Sequence, residues 1–337
     1  MAQRNFHWPM YGHDAQVRVL QDSITFGNYA HAYIFYGPPQ IGKRAVADFF
    51  IQSILCQGQD PRPCQRCDQC AAYSGRVHPD VFALRPLDGA TTISVEQIRQ
   101  LQNQLYLRPA FASVVVGMVY DAERLHHVAA NALLKLLEEP PPNVIIVLVA
   151  HNLATLPATL ISRCQLLKFR PLTTSAMKKW LSSQLLDRQM TKTVTALSMG
   201  RIGVAQSLIQ DTLQSYHASV SAILTMLESA ALDRFLYIER LVSECKAKTG
   251  LDEGRDLIGT FLDYSELLLR DLLLVKISQE LVCNETYRER LQKLSKRFTM
   301  QVLHQLLSEL RGVRTQLARH LNVQLALENY SIKIHEL

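Results

Sequence analysis

Apolar residues fall into short unbroken runs in the first half of the chain and into helical stripes in the second. Tyr33–Tyr36, Val81–Leu84, Val114–Tyr120 and Val144–Ala150 have the length and make-up of buried strands, and Gln165–Phe169 is a weaker fifth. Helical patterns lie between most of them. Ser94-Val95-Glu96-Gln97 has the form of a capping box, so a helix is predicted from there through Leu105. Leu133, Leu136 and Leu137, spaced i, i+3, i+4, predict a helix over Ala129–Glu139, and Pro140–Pro142 end it. A further helix is expected over Ala45–Leu55. Strands alternating with helices predict a parallel sheet with helices on both faces.

Proline then divides the chain. All 13 prolines lie at or before Pro171, and the 166 residues after it have none. Because proline breaks helix interiors, its absence predicts a wholly helical second half, with the main boundary near residue 171. In that half Leu303, Leu306, Leu307, Leu310, Val313 and Leu317 form a helical stripe, which serves as plain core, as a subunit interface, or as both.

Composition narrows the class. A chain of 337 residues has length for two or three domains. Its longest apolar run, Val144–Ala150, is far short of the roughly 20 residues a membrane helix needs. The opening MAQRNFHWPMYGHD lacks an apolar core of the secretory kind, so a cytoplasmic protein is expected. A formal charge of +6 permits contact with nucleic acid or an acidic partner without arguing for either, since no dense Lys/Arg block occurs.

Chemistry concentrates in three places. The first is YGPPQIGKR, residues 36–44. Gly37, Gly42 and Lys43 fit the phosphate-loop pattern G-x-x-x-x-G-K-[ST], and the loop lies between a predicted strand and a predicted helix. Arg44 stands where the Ser or Thr would ligate the Mg²⁺ of a nucleotide. The second is the end of the Val114–Tyr120 strand, Asp121-Ala122-Glu123. Asp121 suits a metal ligand or, alternatively, the cap of the next helix. Ala122 occupies the place of a catalytic Glu, and Glu123 comes one residue late. If strand geometry persisted, Glu123 would face the wrong way. Two parts of a hydrolytic site are therefore missing, and ATP or ADP binding is doubtful.

The third is Cys56, Cys64, Cys67 and Cys70, spaced C-x7-C-x2-C-x2-C. Four thiolates at such spacing converge on one tetrahedral Zn²⁺, a closed structural site, and a cytosolic setting favours metal over disulfides. His78 is a spare ligand the site does not need. Cys164, Cys245 and Cys283 read as ordinary buried residues.

These pieces together resemble the delta-prime subunit family of the bacterial DNA polymerase III clamp loader, an AAA+ family. The matching stretches are HAYIFYGPPQIGKR, the four-cysteine insert, ANALLKLLEEPPP, LPATLISRC and NVQLALEN. The resemblance implies an α/β AAA+ P-loop domain with a parallel five-stranded sheet over residues 1–170, carrying the zinc insert at 56–70. A small helical lid would follow at 171–212 and an all-α collar domain for oligomerisation at 213–337. Gly200-Arg201-Ile202-Gly203 matches the family's second sensor segment, with Gly203 where a nucleotide-contacting Arg would stand. The departures at Arg44, Ala122 and Gly203 fit a stator that does not hydrolyse ATP, within the polymerase holoenzyme. Partners would be motor ATPase subunits and delta in a five-subunit ring, with the sliding clamp and primer-template DNA reached through the complex and no membrane involved. The resemblance makes Arg163, in Ser162-Arg163-Cys164, an arginine finger offered in trans to a neighbour's ATP site. Two other readings stay open: an active motor ATPase of the same loader, and a zinc-containing nucleic-acid-binding adaptor.

Overall fold

Alternation along the strands sorts the apolar residues onto two faces of one sheet. In the computed structural model, residues 5–87, 90, 92–184, 188–210, 213–247, 251–278, 282–318 and 323–336 are described. The chain divides into two units, Met1–Leu186 with Ser198–Val204, and Asp187–Leu197 with Ala205–Leu337.

The first unit runs α1 (Asp14–Phe26), β1 (Ala32–Tyr36), α2 (Lys43–Leu55), α3 (Asp68–Ser74), β2 (Val81–Leu84), α4 (Val95–Leu105), β3 (Val115–Val119), α5 (His127–Glu138), β4 (Val144–Ala150), α6 (Ala158–Ile161), β5 (Gln165–Lys168) and α7 (Thr174–Ser182). All strand pairs are parallel, in the order β2-β3-β4-β1-β5. The five-stranded parallel sheet expected of an AAA+ domain is present, with every predicted strand in it.

Tyr33, Phe35, Val116, Met118, Ile145 and Val147 point to one face and pack against Leu20 and Ile24 of α1 and Val46, Phe50 and Ile51 of α2. Their neighbours Ile34, Val115, Val119, Ile146 and Leu148 point to the other, against Ile98 and Leu101 of α4 and Leu133, Leu136 and Leu137 of α5. This is the period-2 geometry of strands buried on both sides. The predicted capping box forms: Gln97 N–H donates to Ser94 Oγ at 3.3 Å, and Ser94 N–H donates to Gln97 Oε1 at 3.1 Å.

Strand order sets where chemistry can sit. β1 lies between β4 and β5, while the chain leaves it for β2 at the far edge. The order therefore reverses beside β1, and the carboxyl ends of β1 and β4 border the crevice where open α/β sheets bind ligands. Residues 37–42 follow β1 directly.

No strand follows β5 among the described residues. The second unit holds α8 (Arg188–Ser198), whose last residue falls in the first unit, then α10 (Leu213–Glu228), α11 (Ala231–Ala247), α12 (Leu251–Ile277), α13 (Arg288–Ser295), α14 (Met300–Ala318) and α15 (Val323–Glu336), while α9 (Ile202–Gln210) crosses the division. On α14, Leu303, Leu306, Leu310 and Val313 are buried and Leu307 partly so, with α12 and α15 packed alongside, so this stripe is core of its own unit. The Leu317 side chain lies outside the described ones. Asp271 is fully buried, and its carboxylate accepts from Cys283 N–H (3.1 Å), Asn284 N–H (2.9 Å) and Asn284 Nδ2 (2.8 Å). Among the described residues no helix is long and apolar enough to cross a membrane.

Candidate functional site: a degenerate phosphate loop, a thiol cage and an arginine at the domain surface

The loop after β1 has the backbone of a phosphate cradle. Gly37 has φ +147°, and a Cβ there would come within 2.3 Å of the Phe169 carbonyl oxygen, so only glycine fits. Gly42, at φ +99°, is the N-cap of α2, which begins two residues before the predicted Ala45. Lys43 is buried, and its ammonium donates to the carbonyls of Gly37 and Pro38, both at 2.6 Å. It also lies 3.3 Å from Nδ1 of His151. Burial pushes this ammonium down to about 8, opposed by the nearby Glu123 carboxylate, so it stays charged at neutral pH.

Arg44 reaches across to Asp121. Its Nη2 donates to both oxygens of Asp121, at 3.1 and 3.0 Å, and its guanidinium lies 4.9 Å above the centre of the Tyr120 ring. Asp121 has φ +54° and makes no capping hydrogen bond with its side chain, so the helix-cap alternative is not realised. Ala122 is fully buried in the core under α4 and α5. A carboxylate at that position would be desolvated among Leu and Ile side chains.

Glu123 departs from the sequence expectation. The strand ends at Val119 and residues 122–124 form a 3₁₀ turn, so strand alternation no longer governs this stretch. The turn brings Glu123 back: its Oε2 accepts from His151 N–H at 3.2 Å, and its Oε1 lies 3.4 Å from His151 Nε2. Asp121, Glu123 and His151 each offer a ligand atom within 4.8 Å of the others. Register explains the meeting. Val119 pairs with Leu148 and Tyr36 with Ala150, so Asp121, His151 and Gly37 emerge at one edge of the sheet. Periodicity names neither Glu123 nor His151; only knowing that β4 lies between β1 and β3 would have found them.

Gly203, the third departure, is also explained by packing. Its N–H donates to the Gln40 carbonyl at 2.8 Å, and a Cβ would meet Gln40 Cβ at 2.9 Å. The start of α9 thus rests on the phosphate loop itself, leaving no room for an arginine there.

Cys56, Cys64, Cys67 and Cys70 converge, with all four sulfurs within 4.8 Å of one another and Cys64 and Cys70 at 4.0 Å. A tetrahedral cage with sulfurs about 2.3 Å from its ion sets them about 3.8 Å apart. Backbone N–H groups of Cys64 and Cys67 donate to sulfurs at 3.4 Å, as they do for thiolates. A Cβ on Gly58 would come within 2.4 Å of the Cys64 sulfur. The donor set and its spacing can hold a metal ion. His78 is not part of it; its Nδ1 accepts from Asp80 N–H at 3.1 Å instead. Cys164 and Cys283 are only partly buried, and that burial pushes their thiols up, to about 12 and about 11. The Cys245 side chain lies outside the described ones.

Arg163 follows α6 with a third of its side chain exposed. Nη2 pairs with Glu138 Oε1 at 2.7 Å, and Nη1 donates to the Thr159 carbonyl at 2.8 Å and to Ser162 Oγ at 3.3 Å. Ser162 Oγ in turn donates to the Thr159 carbonyl at 3.1 Å. The fork is tied to its own domain by one exposed carboxylate and by two bonds within the Thr159–Ser162 turn.

The chain is similar to several known proteins. A family described as DNA polymerase III, delta subunit, matches residues 12–173, and its C-terminal counterpart matches residues 251–336. DNA polymerase III subunit delta' of Bacillus subtilis is 26% identical over 95% of this chain and 95% of its own length. The delta' subunit of Pseudomonas aeruginosa is 34% identical, over 57% of this chain and 60% of its own. Subunit tau of Bacillus subtilis is 26% identical over 88% of this chain but 55% of its own length. With two models of one family over most of the chain and delta' subunits among its relatives, the chain belongs to the delta-prime family of DNA polymerase III clamp-loader subunits.

Proposed function

We propose that this chain is a clamp-loader subunit that does not hydrolyse ATP and serves as a stator for neighbouring motor subunits. The observation that carries the reading is the Arg44–Asp121 pair. A guanidinium sits on the carboxylate that would hold Mg²⁺, so the charge a metal would supply is already provided by the protein. Ala122, buried in the core, supports the same reading, because no carboxylate is available there to orient a water. Similarity to delta' and tau relatives alone does not separate stator from motor; residues 44, 122 and 203 support the stator. In this reading residues 1–170 are the AAA+ domain, 171–212 the lid and 213–337 the collar that enters a five-subunit ring. The thiol cage holds Zn²⁺, which pins the insert to α2 and α3 and takes no part in chemistry.

Arg163 is the group this subunit contributes to catalysis. Its guanidinium would reach a neighbour's ATP and stabilise the charge on the transferring phosphoryl group, a role worth on the order of 10³–10⁵ in rate at one site. The Glu138 pair is a resting position. Both partners are substantially exposed, and such pairs contribute under about 1 kcal/mol, so the fork is easily released.

The test compares Arg163→Ala with Glu138→Gln in a reconstituted loader, after checking assembly. A finger predicts that Arg163→Ala lowers DNA-stimulated ATPase and clamp loading while Glu138→Gln lowers neither. If the two variants lose activity equally, Arg163 is a structural tie and the finger reading fails. Hydrolysis that survives inactivation of every motor P-loop and disappears with Lys43→Ala would instead make this chain a motor.

A further inference from the structure

A second cleft of about 960 Å³ opens beside the zinc insert, between α2, the end of α3 and the outer strands β2 and β3. That is the size of a small-molecule site. Its walls carry three arginines, Arg44, Arg76 and Arg85, against a single carboxylate, Asp48. Arg44 is engaged by Asp121. Arg76 and Arg85 have no ion-pair partner among the described residues, and both outnumber Asp48. The Oδ1 of Asp48 is itself taken by the hydroxyls of Tyr73 (2.8 Å) and Tyr120 (3.4 Å). Arg85 is held in place by packing, its guanidinium 4.7 Å over the same Tyr120 ring that Arg44 covers.

His78, also on the lining, gives an independent observation. It is 5% exposed, and its Nδ1 accepts from Asp80 N–H, which in the neutral ring puts the proton on Nε2. That Nε2 is buried with no hydrogen-bond partner among the described residues. A buried donor without an acceptor is unfavourable alone, and His78 shares this lining with Arg76 and Arg85.

We propose that this cleft binds a phosphate group, with Arg76 and Arg85 as its principal ligands. Forked guanidiniums match phosphate oxygens better than any other side chain does. The phosphate can come from a free nucleotide or from a nucleic-acid strand, and the two differ in the rest of the molecule the cleft must admit. This site is separate from the Gly37–Lys43 loop and does not depend on the stator reading.

The experiment titrates the zinc-loaded full chain with pyrophosphate, with ADP and with a short oligothymidylate, by calorimetry. The same titrations are run on Arg76→Ala/Arg85→Ala and on Lys43→Ala. Both arginines are exposed, so the double variant should fold; its circular dichroism and zinc content are checked first. Binding should persist in Lys43→Ala and weaken about tenfold or more in the double variant, since a hydrogen bond to a charged group contributes at least that factor. Binding of pyrophosphate and ADP but not the oligonucleotide identifies the source as a small phosphate; the opposite pattern identifies a strand backbone. No binding by the parent chain, or binding that the double variant retains and Lys43→Ala loses, overturns the proposal.

Discussion

Arg44→Thr returns the phosphate loop to its consensus, and it should not return activity. The stability lost can be worked out from what Arg44 touches. Its ion pair with Asp121 has side-chain exposures of 45% and 17%, so solvent screening holds it to roughly 0.5–1 kcal/mol. Its place over the Tyr120 ring adds roughly 0.5–1 kcal/mol. The variant should therefore lose about 1–2 kcal/mol. Urea unfolding followed by tryptophan emission reads this cleanly, because Trp8 and Trp180 both lie in the first unit. A double-mutant cycle with Asp121→Asn isolates the pair, and its coupling should be about 0.5–1 kcal/mol. Hydrolysis should stay absent, because Ala122 is enclosed by the α4–α5 core and a hydroxyl at residue 44 does nothing to supply the missing carboxylate. ATP turnover by Arg44→Thr alone would refute the argument, and a coupling above about 3 kcal/mol would show that the pair is far better shielded than its exposure implies.

Three further outcomes are expected. Cys67→Ser should bring zinc well below one equivalent by elemental analysis and lower the melting temperature of the first unit; a full equivalent retained would remove Cys67 from the cage. Asp271→Ala leaves two buried N–H groups of Asn284 and a part-buried one of Cys283 without this acceptor, so the helical unit should lose about 3 kcal/mol or more in chemical denaturation, whereas a loss under 1 kcal/mol would contradict the buried network. Asp80 carries a pH signature. Burial pushes its carboxyl up, but N–H bonds from Ala110, Phe111 and Ala112 outweigh this and hold it below the usual 3.8. A depressed carboxyl stabilises the fold above its unfolded value and loses that contribution as pH falls through the folded one. The deficit of Asp80→Asn against the parent chain should therefore be full at pH 7 and shrink below about pH 3.8; a deficit independent of pH would show that the charge is not what matters.

Much of the fold was legible because strands buried on both faces leave unbroken apolar runs, and β1, β3 and β4 are such strands. The capping box at Ser94 and Gln97 was legible because it is purely local. α1 was not: it buries only Leu20 and Ile24 and leaves Val19 and Phe26 exposed, so its stripe is too thin to stand out. α3 is seven residues long inside the cysteine insert, where the spacing of ligands hides any helical period. At the site, Lys43, Arg44 and Asp121 were readable because motif and strand are contiguous in sequence. Glu123 and His151 required the sheet order, since they are brought together by parallel pairing across β3, β4 and β1. The alternation argument failed at Glu123 for a specific reason: the strand had already ended.

In the stator reading the three departures from an ATPase site are linked by packing, and each residue has a structural role of its own. Arg44 spans from α2 to Asp121 and neutralises it. Ala122 is fully buried in the core beside α4 and α5. Gly203 lets α9 lie against Gln40 at the top of the loop, where a Cβ would meet Gln40 Cβ at 2.9 Å. Lys43 donates to the loop's own carbonyls, which substitute for the phosphate oxygens a nucleotide would offer. In the stator reading, a lysine already bonded to its own loop and a carboxylate already paired with a guanidinium have little to gain from a bound nucleotide and metal. Restoring one consensus residue removes one internal bond without opening the others, so recovery of hydrolysis would require changes at 44, 122 and 203 together, with the last demanding that α9 move off the loop.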